Sequence, residues 1–253
     1  MANNIRESYE KLWSEGWETE TEYHGPSSRH RKRLILNILK QYKHCKLDIL
    51  DIGCGDGFVL KSLTNYPLFQ LFGMDVSQKA IELAQKRAGT NIQYIVGDLQ
   101  SQEELPKRKF DFIICSEVLE HLPEDKLALS NLAYLLSPKG KLLLTLPHNQ
   151  EYWTPHDTAA AHLRRYEKQE LIEKLQKNGF KVLRGFTWGY PLYNLYYNLV
   201  LKQLKPESTW EKKKGGVKVL AFLAYLLFFF DDFFIKGDKG RVLMVLAEKV
   251  DSH

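Results

Sequence analysis

An apolar hexad, LDILDI at 47–52, runs directly into Gly53, Gly55 and Gly57, and a short helical pattern follows near 58–64. A strand that ends on alternate glycines and then enters a helix constrains the fold more than any other feature of this chain. Without a Cβ the backbone turns tightly and approaches a ligand closely, and the helix N-terminus beyond offers unpaired amides. The unit then recurs. Apolar runs at 68–74, 92–96, 110–116 and 141–146 read as strands, and helices are expected at 78–88, capped by Ser77, and at 124–136. A helix at 167–178 stops at Gly179, and runs at 180–186 and 241–249 supply the last two strands. Nearly continuous apolar strands alternating with helices imply a parallel sheet covered on both faces. The expected class is α/β: a Rossmann-like, seven-stranded, mostly parallel sheet flanked by helices.

The 253 residues suit one domain. Residues 1–45 form an N-terminal helical cap. Its helix at 3–15 carries Ile5, Tyr9, Leu12 and Trp13 on one face, and its helix at 28–43 carries a stripe of Leu34, Ile35, Ile38 and Leu39. Residues 46–186 are the cofactor-binding core, 187–240 an aromatic-rich insertion or lid, and 241–253 the last strand. The insertion separates two strands that could otherwise be hairpin neighbours. Its stretch VKVLAFLAYLLFFFDDFFI at 217–235 is interrupted by Lys218, Asp231 and Asp232, so the clean apolar run is too short for a spanning helix. It reads as a buried helix, a dimer contact, or a lid or membrane-surface element over 212–235, with Lys212–Lys214 meeting anionic headgroups.

Charge and cysteines narrow the class further. A net charge of +5 without zinc-finger spacing, an RNP motif or a long basic helix argues against nucleic acid as a partner. Cys45, Cys54 and Cys115 are an odd set without framework spacing and read as reduced thiols of a cytoplasmic protein. The polar start, MANNIRESYEKLW, has no apolar region of the kind a signal peptide needs.

The glycines are spaced GxGxG rather than GxGxxG, which disfavours a dinucleotide and with it an oxidoreductase. The second strand ends in Asp75, about 20 residues beyond the glycines, where a carboxylate can hold ribose hydroxyls. The third ends in Gly97-Asp98-Leu99, where an acid can accept from an adenine amino group. Together with FDFIICSEVLEHL at 110–122 and HLRRYEKQELIEKLQKNGF at 162–180, these motifs resemble the class I S-adenosylmethionine methyltransferases, in the subgroup of the ubiquinone O-methyltransferases, over roughly residues 25–186. The resemblance implies S-adenosyl-L-methionine as cofactor and S-adenosyl-L-homocysteine as product. It implies Asp51 and Gly53 beside the methionine portion, Asp75 on ribose, and Asp98 with Leu99 on adenine. Cys54, Gly55, Val76, Ser116 and Glu117 complete the implied set, and Arg31, with Arg33 as competitor, meets the methionine carboxylate.

A hydroxyl acceptor needs a general base. His121 is the first candidate, because an ordinary imidazole titrates near neutrality. The bland alternative is a side chain that caps the turn before Pro123. His148 and His156 come next, in the long connection after the fifth strand. His148, His156, Asp157 and His162 match no standard zinc spacing, so no metal is assigned. Arg164 and Arg165 read as anchors of that connection through ion pairs. Tyr9, Trp13, Trp17 and Tyr23 could cover the sulfonium, with Trp13 read mainly as packing. The expected activity is O-methylation of a small hydrophobic, aromatic or lipid- or glycan-linked acceptor. N- or C-methylation, and a subunit that holds the cofactor without catalysis, stay open. The acceptor and the oligomeric state are not legible.

Overall fold

The computed structural model describes residues 2–15, 25–89, 91–199, 202, 215–235 and 237–250. Trp17, Tyr23 and Lys212–Lys214 lie outside them. The strands are β1 (Leu47–Ile52), β2 (Phe69–Asp75), β3 (Ile92–Val96), β4 (Phe110–Ser116), β5 (Leu136–Pro147), β6 (Phe180–Trp188) and β7 (Val242–Lys249). They form one sheet in the order β3-β2-β1-β4-β5-β7-β6. The first five strands are parallel, and β7 lies antiparallel between β5 and β6. The two strands flanking the insertion are therefore antiparallel neighbours.

Alternation along each strand feeds two cores. Leu50, Ile113, Leu142, Leu144 and Val245 point into one. Ile49, Phe112, Ile114, Leu143, Met244 and Leu246 point into the other. Both faces are covered, so these strands read as unbroken apolar runs.

The helices are α1 (Ala2–Glu15), α2 (Pro26–Leu39), α3 (Leu60–Leu63), α4 (Gln78–Ala88), α5 (Asp125–Leu135), α6 (Pro155–Ala159), α7 (Lys168–Lys177), α8 (Leu192–Leu199) and α9 (Gly215–Leu227), with a 3-10 segment at Phe228–Phe234. Leu129, Leu132, Leu171 and Leu175, from α5 and α7, fill the first core. The α2 stripe of Leu34, Ile35, Ile38 and Leu39 fills the second. That helix starts two residues earlier than expected, because Pro26 suits its first turn, and it ends in a 3-10 turn at Lys40–Tyr42. The strand β5 starts five residues earlier than the apolar run suggests, since Leu136 pairs with Phe110 ahead of a register shift.

The insertion is tied down by the two acids inside its apolar stretch. The Asp231 carboxylate accepts from the backbone amides of Leu192 (2.7 Å) and Tyr193 (2.9 Å), satisfying the N-terminus of α8. Asp232 accepts from Arg33 at 2.7 and 2.8 Å. Much of the outer apolar surface stays exposed, including Leu223, Leu226, Leu227, Phe230 and Phe233, the last at 80%. Among the described residues, no helix is long and apolar enough to cross a membrane.

Candidate functional site

The parallel strands β1, β2 and β4 end level with one another: Ile52 pairs with Met74 on one side and Cys115 on the other. The loop after β1 crosses the end of β2, where Gly53 and Cys54 both donate to the Met74 carbonyl, at 2.8 and 3.1 Å. Gly53 has φ +69°, and a Cβ there would lie 2.4 Å from Val118 Cγ2. Conformation and space both demand glycine. The Gly55 amide donates to Asp75 Oδ2 (2.9 Å) and the Ser77 amide to Asp75 Oδ1 (3.0 Å), so one carboxylate joins the glycine loop to the start of α4.

These turns enclose a cleft of about 700 Å³, open mouth included, lined by Gly53, Gly55, Asp75, Val76, Asp98, Leu99, Glu117 and His121 among others. One wall is α1. Its Glu10 carboxylate accepts from Ser77 Oγ (2.6 Å) and the Lys79 amide (3.2 Å) at the positive end of α4. Docked there, α1 sets Tyr9 and Trp13 into the cleft. Trp13 also packs on Ala80 and Leu83, so the packing expected of it is present along with its place in the wall.

Burial governs the acids. It pushes Asp75 up to about 6, although amide hydrogen bonds from Ser77, Gly55 and Val76 oppose it. Burial, with the neighbouring Asp75 charge, pushes Asp51 to about 8. Asp51 and Cys54 are buried, and neither lines the cleft. Asp98 Oδ1 accepts from the Gln100 amide (2.8 Å), and Asn131 anchors the Leu99 carbonyl (2.7 Å).

The end of β4 is the junction between two cavities. Ser116 Oγ and Thr145 Oγ1 are 2.7 Å apart, and Thr145 Oγ1 donates to Glu117 Oε1 (3.0 Å). Glu117 has φ +56°, a left-handed conformation rare for such a residue and often kept at functional positions. Its other oxygen pairs with Arg31 (3.2 Å). Arg33, the competitor, is committed to Asp232. Glu117 lines both the cleft and a second chamber, whose other walls include Arg31, His156, Asp157, His162, Arg165, Tyr193, Tyr196, Tyr197 and Arg241.

Arg165 grips Asp157 with two hydrogen bonds, Nε to Oδ1 at 3.0 Å and Nη2 to Oδ2 at 2.9 Å. His162 lies 2.8 Å from the same Oδ1. Burial alone would raise Asp157, yet the bonds from His162 and Arg165 hold it well below the carboxylate range. Arg164 pairs with Asp125 (3.1 Å), so both arginines anchor the connection, as expected. His148 does not reach either cavity: it is buried with Nδ1 2.8 Å from the Gly240 carbonyl. His156 does line the chamber.

His121 stands at the cleft edge, its ring 5.6 Å from Tyr9 and 4.7 Å from His162. Burial, and then His162, lower its pKa to about 4, so the neutral pKa assumed from sequence does not apply. Beneath it Glu120 is fully buried with both carboxylate oxygens lacking a hydrogen-bond partner among the described residues, and burial raises its pKa well above the usual value. Donor atoms of Glu120, His121 and His162 lie within 4.8 Å of one another, a spacing one divalent cation can bridge. Of the residues considered as ligands from sequence, His162 alone belongs to this set.

The methyltransferase-domain family matches residues 24–184. The chain belongs to this family. It is a class I, S-adenosylmethionine-dependent methyltransferase. The methyltransferase is 26% identical over 209 residues to the ubiquinone biosynthesis O-methyltransferase of Serratia proteamaculans, covering 78% of this chain and 85% of the relative. Its fold matches the N-methyltransferase NodS of Bradyrhizobium japonicum, solved with S-adenosyl-L-homocysteine, at a TM-score of 0.62 and 15% identity, covering 98% of this chain and 100% of that one. It also matches magnesium protoporphyrin IX methyltransferase of Synechocystis, solved with the same product, at 0.61 and 16% identity, covering 98% and 100%.

Sequence reasoning missed Glu120, buried beneath His121, and Arg241, a wall residue of the second chamber. Glu120 stood inside the EVLEH string without a separate role. Arg241 looked like the polar first residue of a strand.

Proposed function

We propose that this methyltransferase transfers a methyl group to an oxygen of a small, hydrophobic acceptor seated in the second chamber. The carrying observation is Glu117, which lines both the strand-end cleft and a chamber walled by three tyrosines. The likeness to the Serratia enzyme, named an O-methyltransferase, favours oxygen.

S-adenosylmethionine supplies an activated methyl group, so the chain's task is to position and to exclude water. In this reading Gly53 and Gly55 let the loop approach the methionine portion above Asp51 and Cys54. Asp75 and Val76 hold ribose, and Asp98 with Leu99 holds adenine. Arg31 meets the methionine carboxylate, with Glu117 and Ser116 fixing its approach. Tyr9 and Trp13 exclude water and lay aromatic rings near the sulfonium. His121 takes the acceptor proton. Burial keeps it unprotonated at neutral pH, and an oxygen acquiring a methyl group becomes acidic enough to yield a proton even to a weak base.

The exposed apolar face of α9 and the 3-10 segment supports a second part of the reading: contact with an anionic membrane surface that carries the acceptor. Lys212–Lys214 immediately precede α9 in sequence and bring the matching charge. Tyr193 and Tyr196 of α8 line the chamber and also pack on Phe228 of the 3-10 segment, which ties the chamber to the element that carries this face.

The test begins with calorimetric titration by S-adenosylmethionine and S-adenosylhomocysteine, expected to give one site per chain. A methyl-transfer screen of phenols, catechols and quinols, alone and in vesicles, follows. His121→Ala should lower turnover by roughly 10²-fold or more while product affinity holds. Methylation of amines only, or full turnover in that variant, defeats the oxygen reading or the base assignment respectively.

A further inference from the structure

Three arginines line the second chamber, and two of them are neutralised. Arg31 pairs with Glu117, and Arg165 with Asp157. Arg241 is different. It is only 6% exposed, and no carboxylate among the described residues lies within ion-pair distance of it. Its guanidinium is held by neutral groups alone: Nη1 donates to Asn194 Oδ1 (2.9 Å) and Nη2 to the Tyr152 carbonyl (3.2 Å). The Tyr197 ring lies 3.9 Å from it and the Tyr152 ring 4.8 Å.

A buried cation without a counter-ion is costly, and a chain that keeps one commonly supplies its partner from elsewhere. The two neutral bonds and two rings orient the guanidinium without cancelling its charge, and they occupy two of its five donors. The backbone beside it is fixed as well. A Cβ on Gly240 would lie 2.4 Å from the Trp188 carbonyl oxygen, and the Arg241 carbonyl accepts from the His148 amide (2.8 Å). An oriented, uncompensated arginine on a rigid strand end, facing a tyrosine-walled cavity, is suited to an oxyanion.

We propose that the acceptor carries an anionic group, a carboxylate or a phosphate, and that Arg241 receives it in the second chamber while the tyrosines cover the apolar part. This rests on the reading of that chamber as the acceptor site. The acceptor is then an amphiphile: anionic at Arg241, apolar along Tyr193 and Tyr197, with its reactive oxygen toward Glu117 and His121. Arg241 acts as a specificity-determining residue and takes no part in moving the methyl group.

The experiment uses the full chain saturated with S-adenosylhomocysteine, titrated with phenyl phosphate, benzoate and phenol. The anions are expected to bind roughly tenfold or more tightly than phenol, and whichever of the two binds better names the group. Arg241→Gln, which retains neutral hydrogen bonding, should erase the preference, the anions then binding no more tightly than phenol. Arg241→Lys should keep part of it. Tyr197→Ala should weaken all three probes, the anions most, because its ring also orients the Arg241 guanidinium. Should Arg241→Gln fail to fold, the wild-type preference and its loss to competing inorganic phosphate decide the matter. Equal binding of phenol and the anions, or anion affinity intact in Arg241→Gln, overturns the proposal. A chain that does not bind S-adenosylhomocysteine, or probes indifferent to Tyr197→Ala, would instead remove the reading on which it rests.

Discussion

The strand-end cleft and the second chamber share Glu117 and differ in almost everything else. The cleft is made largely of short stretches at successive strand ends, at 52–55, 74–76, 97–99 and 117–122, with α1 laid across them. The chamber gathers 25–31, Pro147, 154–165, 193–197 and 241–242. The cleft is shaped by backbone turns and amides, the chamber by long side chains held in ion pairs. A cofactor common to a family needs an invariant cradle that local turns can supply. An acceptor pocket has to differ between members, and segments remote in sequence can vary without disturbing the sheet.

That contrast can be broken at several points. The largest effect is expected from Asp157→Ala, which strands Arg165 in a buried site. It should cost about 3–5 kcal/mol of stability in denaturant unfolding, as loss of one partner of a buried pair does, and should weaken chamber ligands while product affinity stays within error. A parallel fall in cofactor affinity would mean that the two regions are one coupled unit. Gly53→Ala attacks the other side. Left-handed backbone and the Val118 contact should together cost roughly tenfold to a hundredfold in product affinity by calorimetry, with chamber probes little changed.

A pH series sharpens the comparison further. Asp75 holds its proton in the fold up to about pH 6, against an ordinary value of 3.8. Its contribution to stability is therefore fully present below the ordinary value and is lost as pH rises through about 6. On the ribose role proposed for Asp75, cofactor binding runs the opposite way, because a hydroxyl donates to the ionised carboxylate. Product affinity should fall as pH drops below about 6, and Asp75→Asn should flatten that profile; a fall that persists in Asp75→Asn assigns the titration to another group. The smallest effect belongs to Asp231→Ala, which uncaps α8. About 1 kcal/mol of stability is at stake, visible as a lowered Tm. Looser binding of chamber probes should accompany it, with the cofactor cleft untouched.

Much of the fold was legible because burial on both faces of a parallel sheet writes itself as continuous apolar runs. β1 through β4 and α4 lie within a residue or so of where the pattern puts them. The end of β5 was legible too, while its start was not, because Leu136 joins the sheet through pairing with Phe110 rather than through local pattern. Among candidate site residues, Gly53, Gly55, Asp75, Val76, Asp98, Leu99, Glu117 and His121 line one cleft, as strand-end spacing suggests. Asp51 and Cys54 lie under it, and His148 lies away from both cavities because its ring is bound to the Gly240 carbonyl.

By itself the sequence determined the sheet, the glycine turn and the acids at successive strand ends, since all of these follow from neighbours within a few residues. Tertiary structure alone decided that burial lowers the pKa of His121, that Glu120 lies beneath it with no hydrogen-bond partner among the described residues, and that Asp232 claims Arg33 and leaves Arg31 to Glu117. It also decided that Arg241 lines the chamber with the tyrosines of α8 and with no carboxylate among the described residues at ion-pair distance. Desolvation and charge pairing depend on what the rest of the chain brings into contact, and no local spacing encodes that.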